Sequence, residues 1–298
     1  MKQMRKGKKR RALRVLGLIL AALLVLAGIE LLISNYTISV SSYSLSSEKL
    51  TAPVRIVFLS DLHGREFGKD NARLLKTIAA QKPDLIALVG DIFNQDADAA
   101  EIDAMCGFIR GCAGIAPTYF GLGNHEVSYL KRDPAGLLSR ITEAGATVVN
   151  NDYLDLDING NAIRLGGYMG FFSSVLMMTT DKEQQKIEQA FIGDFKNTDR
   201  FKLLLNHIPT SWLDWGYIDK DSVDLVLSGH YHGGVIRIPI LEQGLFAPYV
   251  GKFPPYTKGI FVGKKATCVL TTGMAGGYGF PRFFNPPEIC AVDILPAA

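Results

Sequence analysis

The sequence contains few cysteines and shows no internal repeat. Four cysteines occur among 298 residues and none has CxxC spacing, so a disulfide-rich scaffold is excluded. The absence of a repeating unit excludes a solenoid or propeller fold. We expect the cysteines to be buried free thiols. The alternative is a single disulfide between Cys268 and Cys290, which lie in two late apolar strands.

Basic charge is also scarce outside the N-terminus. Residues 1–14 contain eight of the 32 Lys and Arg residues and no acid. The rest of the chain contains 24 Lys and Arg and 29 Asp and Glu, so its formal charge is −5. A mildly acidic domain lacks the basic surface that nucleic-acid binding requires. We therefore expect no nucleic-acid partner, and a DNA nuclease is disfavoured.

A long apolar run follows the basic tail. Val15 to Ile33 is 19 residues long, and its only charged residue is Glu30. About 20 apolar residues span a bilayer, and a preceding basic cluster places the N-terminus in the cytoplasm. We expect a basic cytoplasmic tail (1–14), one transmembrane anchor (15–33) in the cell membrane and an extracytoplasmic domain. The alternative is secretion after signal cleavage, although no clear small-x-small cleavage site follows the run.

The rest of the chain has the pattern of an α/β protein. Residues 34–50 are rich in Ser, Thr and Tyr and are predicted to form a linker and an edge strand. Residues 51–298 are predicted to form the folded domain. From Val54 onwards, short apolar strands alternate with segments of helical periodicity, which is typical of α/β folds.

All five histidines lie just after predicted strands, and all except His207 are close to glycine or to a carboxylate. The blocks are Asp61-Leu62-His63, Gly90-Asp91, Gly123-Asn124-His125-Glu126, Asn206-His207 and Gly229-His230-Tyr231-His232-Gly233. In open α/β sheets, ligands bind beyond the carboxyl ends of the strands. Histidine combined with Asp and Asn suits Mn, Fe or Zn. The sequence therefore predicts a metal site at one edge of the sheets.

These five blocks, in this order, resemble the calcineurin-like metallophosphoesterase superfamily from about Val54 to Val292. The late segment from Gly273 to Ile289 is similar to that of membrane-associated bacterial phosphoesterases of the YaeI/YkuE type. The resemblance implies an α/β fold that is a four-layer α/β/β/α sandwich of two mixed sheets, here with one N-terminal transmembrane helix. It also implies two divalent or trivalent metal ions as cofactors, with Mn, Fe and Zn all open.

The resemblance also implies roles for individual residues. Asp61, His63 and His232 would hold one ion, Asn124, His207 and His230 the other, and Asp91 would bridge both. Two close ions clamp a phosphate and lower the pKa of a bridging water, which gives a hydroxide for in-line attack. His125 would be the catalytic residue that protonates the leaving group. The alternative for His125 is a further ligand of one metal.

Arg65 and Arg282 are the candidate contacts to a substrate phosphate. The alternatives are a solvated loop arginine for Arg65 and, for Arg282, a structural arginine paired with Glu288 or another acid. The apolar run Val175–Met178 lies in the loop 170–180. Together with the anchor, this loop suggests a lipid-linked phosphate as substrate.

The combined expectation is a membrane-anchored, dinuclear metal-dependent phosphohydrolase. A phosphodiesterase or pyrophosphatase acting on a lipid- or nucleotide-linked phosphate is favoured over a protein phosphatase. The alternative is a non-catalytic metal-binding scaffold or regulatory protein that keeps the fold. Loss of catalysis normally deletes metal ligands, whereas every expected ligand type is present here, so the enzyme is preferred.

Overall fold

Two six-stranded mixed sheets form the centre of the protein. The computed structural model describes residues 2–133, 136–170, 182–277 and 279–297. The first sheet contains, in spatial order, β1 (Ser39–Ser47), β16 (Glu288–Pro296), β2 (Val54–Leu59), β3 (Leu85–Val89), β4 (Thr118–Gly121) and β5 (Ala146–Val149). The second contains, in spatial order, β14 (Gly259–Val262), β15 (Thr267–Leu270), β9 (Leu225–Ser228), β8 (Phe201–Asn206), β7 (Asn161–Tyr168) and β6 (Asp152–Ile158).

Helices and two short hairpins complete the described elements. The helices are α1 (Lys2–Tyr36), α2 (Ala72–Ala80), α3 (Ala99–Ala113), α4 (Asn124–Leu130), α5 (Gly136–Glu143), α6 (Lys182–Lys196) and α7 (Thr210–Leu213). The hairpins pair β10 (Arg237–Ile238) with β11 (Gln243–Gly244), and β12 (Phe246–Ala247) with β13 (Gly251–Lys252). Both hairpins lie between β9 and β14 in the chain.

The central strands are buried on both faces. All five residues of β3 are buried, which explains its continuous apolar sequence Leu-Ile-Ala-Leu-Val. Phe58 from the first sheet and Leu205 and Leu227 from the second belong to one apolar cluster between the sheets. Burial of large apolar side chains here contributes about 1.5–3 kcal/mol each relative to exposure. The two sheets therefore pack face to face.

Helices cover the outer faces of both sheets. On the first sheet, Ile78 of α2, Ile109 of α3 and Ile141 of α5 share a cluster with Val57 and Ile86. On the second, Phe191 and Phe195 of α6 and Trp212 of α7 pack against Leu204 and Val226. These layers, helix, sheet, sheet and helix, confirm the fold class expected from the sequence.

Helix α1 continues through both the basic tail and the apolar run. Its segment Arg11–Tyr36 is long and apolar enough to cross a membrane, by length and composition, and its most apolar stretch is not buried. Ser34, near the end of the helix, is buried. Two residues after α1 the chain enters β1, which runs parallel to β16 at the edge of the first sheet. The short linker leaves the end of α1 directly beside the folded domain.

All four cysteines are buried free thiols, as expected. Cys268 lies in β15 of the second sheet and Cys290 in β16 of the first, so they are not neighbours. The apolar run Val175–Met178, which had suggested a lipid-linked substrate, lies outside the described residues.

Candidate metal centre

The seven predicted metal ligands converge at the carboxyl edges of the two sheets. Asp61 and His63 follow β2, Asp91 follows β3, Asn124 follows β4, His207 follows β8, and His230 and His232 follow β9. Neighbouring loops are joined through their backbones. Asp61 N donates to Gly90 O at 3.1 Å, His63 N to Asp91 O at 3.0 Å and Gly229 N to His207 O at 3.0 Å. Parallel strands thus bring residues distant in sequence to one edge.

Close backbone approach explains the glycine beside Asp91. Gly90 has a φ of 74°, and a Cβ there would lie 2.6 Å from the backbone of Gly123 and 2.8 Å from His207 Nδ1. Real Cβ contacts are essentially never that short, and the left-handed conformation also favours glycine. A side chain at this position would force the β3 and β4 loops apart.

Several of the predicted ligands have strained backbone conformations. Positive φ angles occur at Asp61 (57°), His63 (47°), Asp91 (52°), His230 (70°) and His232 (47°). Non-glycine residues adopt such angles rarely, and they cluster at functional sites where the surrounding fold holds them in place. The left-handed turns direct these side chains into a shared space.

The first group of potential ligands is centred on Asp61. Its ligand atoms and those of His63 and His232 all lie within 4.8 Å of one another. His232 Nε2 is 3.6 Å from Asp61 Oδ1, and the rings of His63 and His232 stack at 5.2 Å. The Asp61 carboxylate is oriented by the backbone N–H of His230, which donates to it at 3.0 Å.

The second group is centred on Asp91. Its ligand atoms and those of His207 and His230 also lie within 4.8 Å of one another. His207 Nε2 is 3.1 Å from Asp91 Oδ2, and His63 Nε2 is 3.8 Å from the same oxygen. Asp91 therefore faces histidines of both groups, which is the position expected of a bridging carboxylate.

Buried ligand atoms without hydrogen-bond partners indicate a fit to metal ions. Among the described side chains, four such atoms belong to the predicted site: His63 Nε2, Asn124 Oδ1, His207 Nε2 and His230 Nε2. A buried polar atom without a partner is costly, and in native proteins it usually has an explanation such as an ion. Imidazole nitrogens with carboxylate and amide oxygens suit Mn, Fe or Zn.

The electrostatics of the site favour a cation between the ligands. Burial lowers the pKa of His63 to about 4 and that of His230 to about 3, so both rings are neutral and retain a lone pair. Burial also acts to lower the pKa of His207, but Asp91 beside it raises the value to about 9. Asp91 thus favours a positive charge beside His207 Nε2, the position where a metal ion would replace the proton.

His125 differs from the other histidines in how its ring is held. Gln95 N donates to His125 Nδ1 at 3.2 Å, so the proton of the neutral ring is on Nε2. That Nε2 lies 4.0 Å from Asp91 Oδ2, and the side chain is 27% exposed to the cavity. The atoms of His63, Asp91 and His125 also lie within 4.8 Å of one another. The proton on Nε2 favours a donor role over metal ligation.

Glu126 fixes the loop that carries Asp91, a role that the sequence interpretation missed. Its buried carboxylate accepts from Asp91 N and Gly123 N at 2.8 Å each, from Ile92 N at 2.8 Å and from Phe93 N at 3.0 Å. The available signal was its position three residues after the glycine that begins α4, as in a capping box.

The structure places Arg282, one of the two predicted phosphate contacts, inside the protein. This residue is completely buried, and its guanidinium donates to the carbonyls of Asn285, Ala275 and Thr272. These hydrogen bonds to backbone oxygens connect parts of the loop between β15 and β16, residues 271–287, which we call the late loop. Glu288, the acid named as its alternative partner, pairs with Lys258 at 2.7 Å.

Arg65 is likewise directed away from the cavity. Its guanidinium donates to Asn35 O at the end of α1 and lies 4.8 Å from the centre of the Phe67 ring. Burial lowers its pKa. The structure thus gives Arg65 contacts with α1 and with Phe67, and its contact with a substrate phosphate stays a prediction.

The predicted ligands open onto a cavity of about 510 Å³. Besides the histidines, its lining includes Asn94, Tyr249, Gly276 and Gly277. Asn94 donates to His63 O at 2.9 Å, and the Tyr249 ring stacks on His230 at 5.5 Å. No sequence motif indicated Tyr249, because it comes from a Gly- and Pro-rich stretch far from the histidine blocks.

The sequence profile of the calcineurin-like phosphoesterases matches residues 54–234, more than half of the chain. The chain belongs to this family. The predicted relationship to YaeI-type phosphoesterases of bacteria is also confirmed. Phosphodiesterase YaeI of Escherichia coli is 27% identical over 257 residues, covering 82% of this chain and 83% of that protein.

The chain spans less than two thirds of the length of some of its relatives. An uncharacterised metallophosphoesterase of Campylobacter jejuni is 28% identical over 269 residues, which cover 87% of this chain but only 63% of that protein. Among solved structures, a 5′-nucleotidase precursor of Thermus thermophilus aligns with a TM-score of 0.49 and 15% identity, over 74% of this chain and 49% of that one.

Proposed function

We propose that this calcineurin-like phosphoesterase is a metal-dependent hydrolase of phosphodiesters or pyrophosphates. The observation that supports this most directly is that buried ring nitrogens of His63, His207 and His230, which have no hydrogen-bond partner, belong to the Asp61 and Asp91 groups. A fourth such atom, Asn124 Oδ1, belongs to a residue that lines the same cavity. The similarity to Phosphodiesterase YaeI adds support for a diester substrate.

The ligand set would divide between two metal ions. Asp61, His63 and His232 would hold one ion, Asn124, His207 and His230 the other, and Asp91 would contact both. When bound, the ions would supply Lewis acidity toward the phosphoryl oxygens and toward the attacking water. The neutral amide of Asn124 would limit the negative charge of the site, which favours an anionic substrate.

The remaining residues would orient the substrate and move a proton. Water would add to phosphorus while the bond to the leaving oxygen breaks, and that oxygen needs a proton. The Nε2–H of His125 faces the cavity and would donate it. Asn94 and Tyr249 line the same cavity and would limit the substrate's orientation.

We also propose that α1 anchors the enzyme in the cell membrane, with residues 1–14 in the cytoplasm and the domain outside. The support is the length and apolar composition of Arg11–Tyr36 together with the preceding basic residues. A membrane location would favour substrates that are themselves held at the bilayer.

The test is metal content and diester hydrolysis by the full chain in detergent. We expect about two metal ions per chain and cleavage of bis-p-nitrophenyl phosphate, stimulated by added Mn²⁺. Asp91→Asn removes the bridging charge and should lower both metal content and turnover, the latter by at least about a hundredfold. Both effects follow if Asp91 contacts both ions.

The matched control is Asp103→Asn, which changes an exposed aspartate on α3 whose partner is Arg140. It should keep the metal content and turnover of the unmodified chain. If the unmodified chain binds no metal and cleaves neither bis-p-nitrophenyl phosphate nor p-nitrophenyl phosphate, the proposed function is wrong.

A further inference from the structure

A second cavity next to the metal centre has an entirely apolar lining. Its volume is about 340 Å³, and it is lined by Gly234, Val235, Ile236, Leu245, Phe246 and Phe280. Cavities with such linings exclude water and accept apolar ligands. Gly234, Val235 and Ile236 follow His232 closely in the chain, so this cavity begins just after a predicted metal ligand.

Two glycines separate this apolar cavity from the metal-centre cavity. Gly276 and Gly277 line the metal-centre cavity. A Cβ on Gly277 would lie 3.1 Å from the His232 ring and 3.4 Å from Val235 Cγ2, and Phe280 N donates to Gly277 O at 3.2 Å. The backbone of Gly277 therefore lies against His232 of the metal-centre cavity and Val235 of the apolar cavity. A ligand with a phosphate at the metal centre could extend an apolar tail across this backbone.

Exposed apolar side chains lie around the apolar cavity. Ile240 and Leu241 at the tip of the β10–β11 hairpin are 94% and 68% exposed, and Phe280 and Phe284 are 64% and 42% exposed. The hairpin and the late loop are joined, because Arg237 N donates to Phe283 O at 2.9 Å. Exposed apolar side chains grouped on two connected segments are typical of an interaction site.

Hydrogen bonds place this surface beside the last turns of α1. Phe284 N donates to Glu30 Oε1 at 2.9 Å, and Asn285 N donates to Ser34 Oγ at 3.0 Å. Glu30 lies six residues before the end of α1, which is about 9 Å along the helix at the usual rise. The loop containing Phe284 therefore lies alongside the apolar run 15–33, and it provides a partner for the only charged residue of that run.

We propose that the apolar cavity binds the hydrocarbon tail of a membrane lipid whose phosphoester is held at the metal centre. The proposal rests on the proposed function, and it identifies the substrate class as a lipid phosphodiester or pyrophosphate. The occupant is a lipid tail because the loop that contributes Phe280 to the cavity also binds Glu30 and Ser34 of the apolar helix, and a bilayer around that helix would supply such chains directly.

The experiment compares p-nitrophenyl diesters that differ only in their second alcohol: methyl, butyl and octyl p-nitrophenyl phosphate. The leaving group is the same in all three, so a difference in kcat/KM reports binding of the tail. For the full chain in nanodiscs we expect kcat/KM to rise at least about tenfold from methyl to octyl, because each buried methylene contributes favourably.

Leu245→Trp fills the cavity and should remove most of that increase. The matched control is Leu295→Trp on β16, because Leu245 is 37% exposed and Leu295 is 39% exposed. The control should retain the increase. Phe246→Ser removes an apolar wall of the cavity and adds no bulky side chain. It should also reduce the ratio of kcat/KM for the octyl ester to kcat/KM for the methyl ester. Metal content and thermal unfolding of each variant establish that it is folded.

The outcomes separate the two proposals. If no ester is cleaved by the unmodified chain, the proposed function fails. If all three esters are cleaved at similar rates, the lipid-tail site is wrong while the proposed function stands. If the increase with tail length is the same in both tryptophan variants and in Phe246→Ser, the bilayer concentrates the ester without help from the cavity, and the inference is again overturned.

Discussion

The position of one proton distinguishes His125 from the metal-ligating histidines. His125 Nδ1 accepts from Gln95 N, so Nε2 carries the proton that faces the cavity. His207 has the opposite arrangement, because its Nδ1 lies 2.8 Å from Val89 O and donates to it. Its Nε2 is therefore left facing Asp91. In both histidines a backbone group contacts Nδ1, and the type of that group decides whether Nε2 carries a proton or a lone pair. His125 is thus suited to donate a proton and His207 to bind a metal ion.

This difference predicts the behaviour of His125→Asn. The variant should keep about two metal ions per chain but lose turnover by about 10²–10⁴-fold on diesters with alkyl leaving groups. The loss should be smaller on p-nitrophenyl esters, because p-nitrophenolate leaves without a proton. Metal analysis and kcat on the two substrate types measure both effects. Loss of metal would instead identify His125 as a ligand.

Glu288 offers a second prediction at the level of one residue. Burial acts to raise its pKa, but Lys258 at 2.7 Å and donors such as Thr272 N at 2.8 Å hold the pKa below its ordinary value of 4.5. A carboxylate with a lowered pKa in the folded state stabilises the fold above its unfolded pKa. That stabilisation is lost as the pH falls through the folded value.

Glu288→Gln should therefore lower the unfolding temperature of the metal-free chain at pH 7, by the equivalent of roughly 2 kcal/mol. The difference from the unmodified chain should shrink as the pH falls below about 4.5. Thermal unfolding in detergent at a series of pH values measures it. Glu48→Gln, at an exposed glutamate, is the control and should show no such trend. A difference independent of pH would mean that the ionised form is not what stabilises the fold.

The sequence indicated residues whose side chains suit metal binding, but it did not indicate residues whose side chains bind the backbone of other loops. Asp61, Asp91 and the histidines were identified because their types suit metals and they follow strands. Glu126 and Arg282 work by binding backbone groups of distant loops. Every residue has similar backbone groups, so the sequence does not show which of them a buried charged residue will bind. Such a residue is therefore easily interpreted as a substrate contact or a surface residue.

At the scale of elements, the end of α1 is connected to the loop that supports His232. Asn285 Nδ2 donates to His232 O at 2.8 Å, while its backbone N donates to Ser34. Asn35 and Arg282 also exchange hydrogen bonds, at 2.9 and 3.2 Å. The apolar helix is thus linked to the metal centre through one short loop. The sequence indicated the helix but not its docking, which depends on contacts about 250 residues apart in the chain.

Glu30→Ala should loosen this connection. It removes the acceptor of the Phe284 N–H, so we expect amide hydrogen exchange at Phe284 to accelerate by up to about tenfold, as loss of one hydrogen bond predicts. Glu30→Gln keeps an acceptor oxygen and should exchange at nearly the unmodified rate. Mass spectrometry of the full chain in nanodiscs measures both. Equal exchange in all three proteins would show that Glu30 does not hold the loop.

At the scale of the whole molecule, the same contacts would orient the domain on a membrane under the proposed anchoring. If α1 spans the bilayer, then the late loop, the β10–β11 hairpin and the opening of the apolar cavity all face the membrane surface. The strand-helix alternation predicted an α/β fold, since each element's periodicity is local, while the two-sheet sandwich was implied by the resemblance to the metallophosphoesterases. The direction in which the metal centre faces was not predictable, because it follows from the angle between α1 and the sheets.

The orientation of the chain can be tested with single added cysteines. The four native cysteines are buried, so the unmodified chain should react little with a membrane-impermeant maleimide and serves as the control. Val262 on β14 is 78% exposed, and Val262→Cys should be labelled in intact cells. Gln3→Cys, in the basic tail, should be labelled only after the membrane is permeabilised, because eight basic residues hold that end in the cytoplasm.

The alternative topologies give different labelling. Labelling of Gln3→Cys but not Val262→Cys in intact cells would reverse the orientation and place the metal centre in the cytoplasm. A labelled product shortened by the length of α1 and released into the medium would indicate cleavage. Cleavage would remove Glu30 and Ser34 from the late loop and leave Phe284 and Asn285 without those partners. The lipid-tail proposal therefore requires the uncleaved form in either orientation, and this labelling pattern is the most direct test of that requirement.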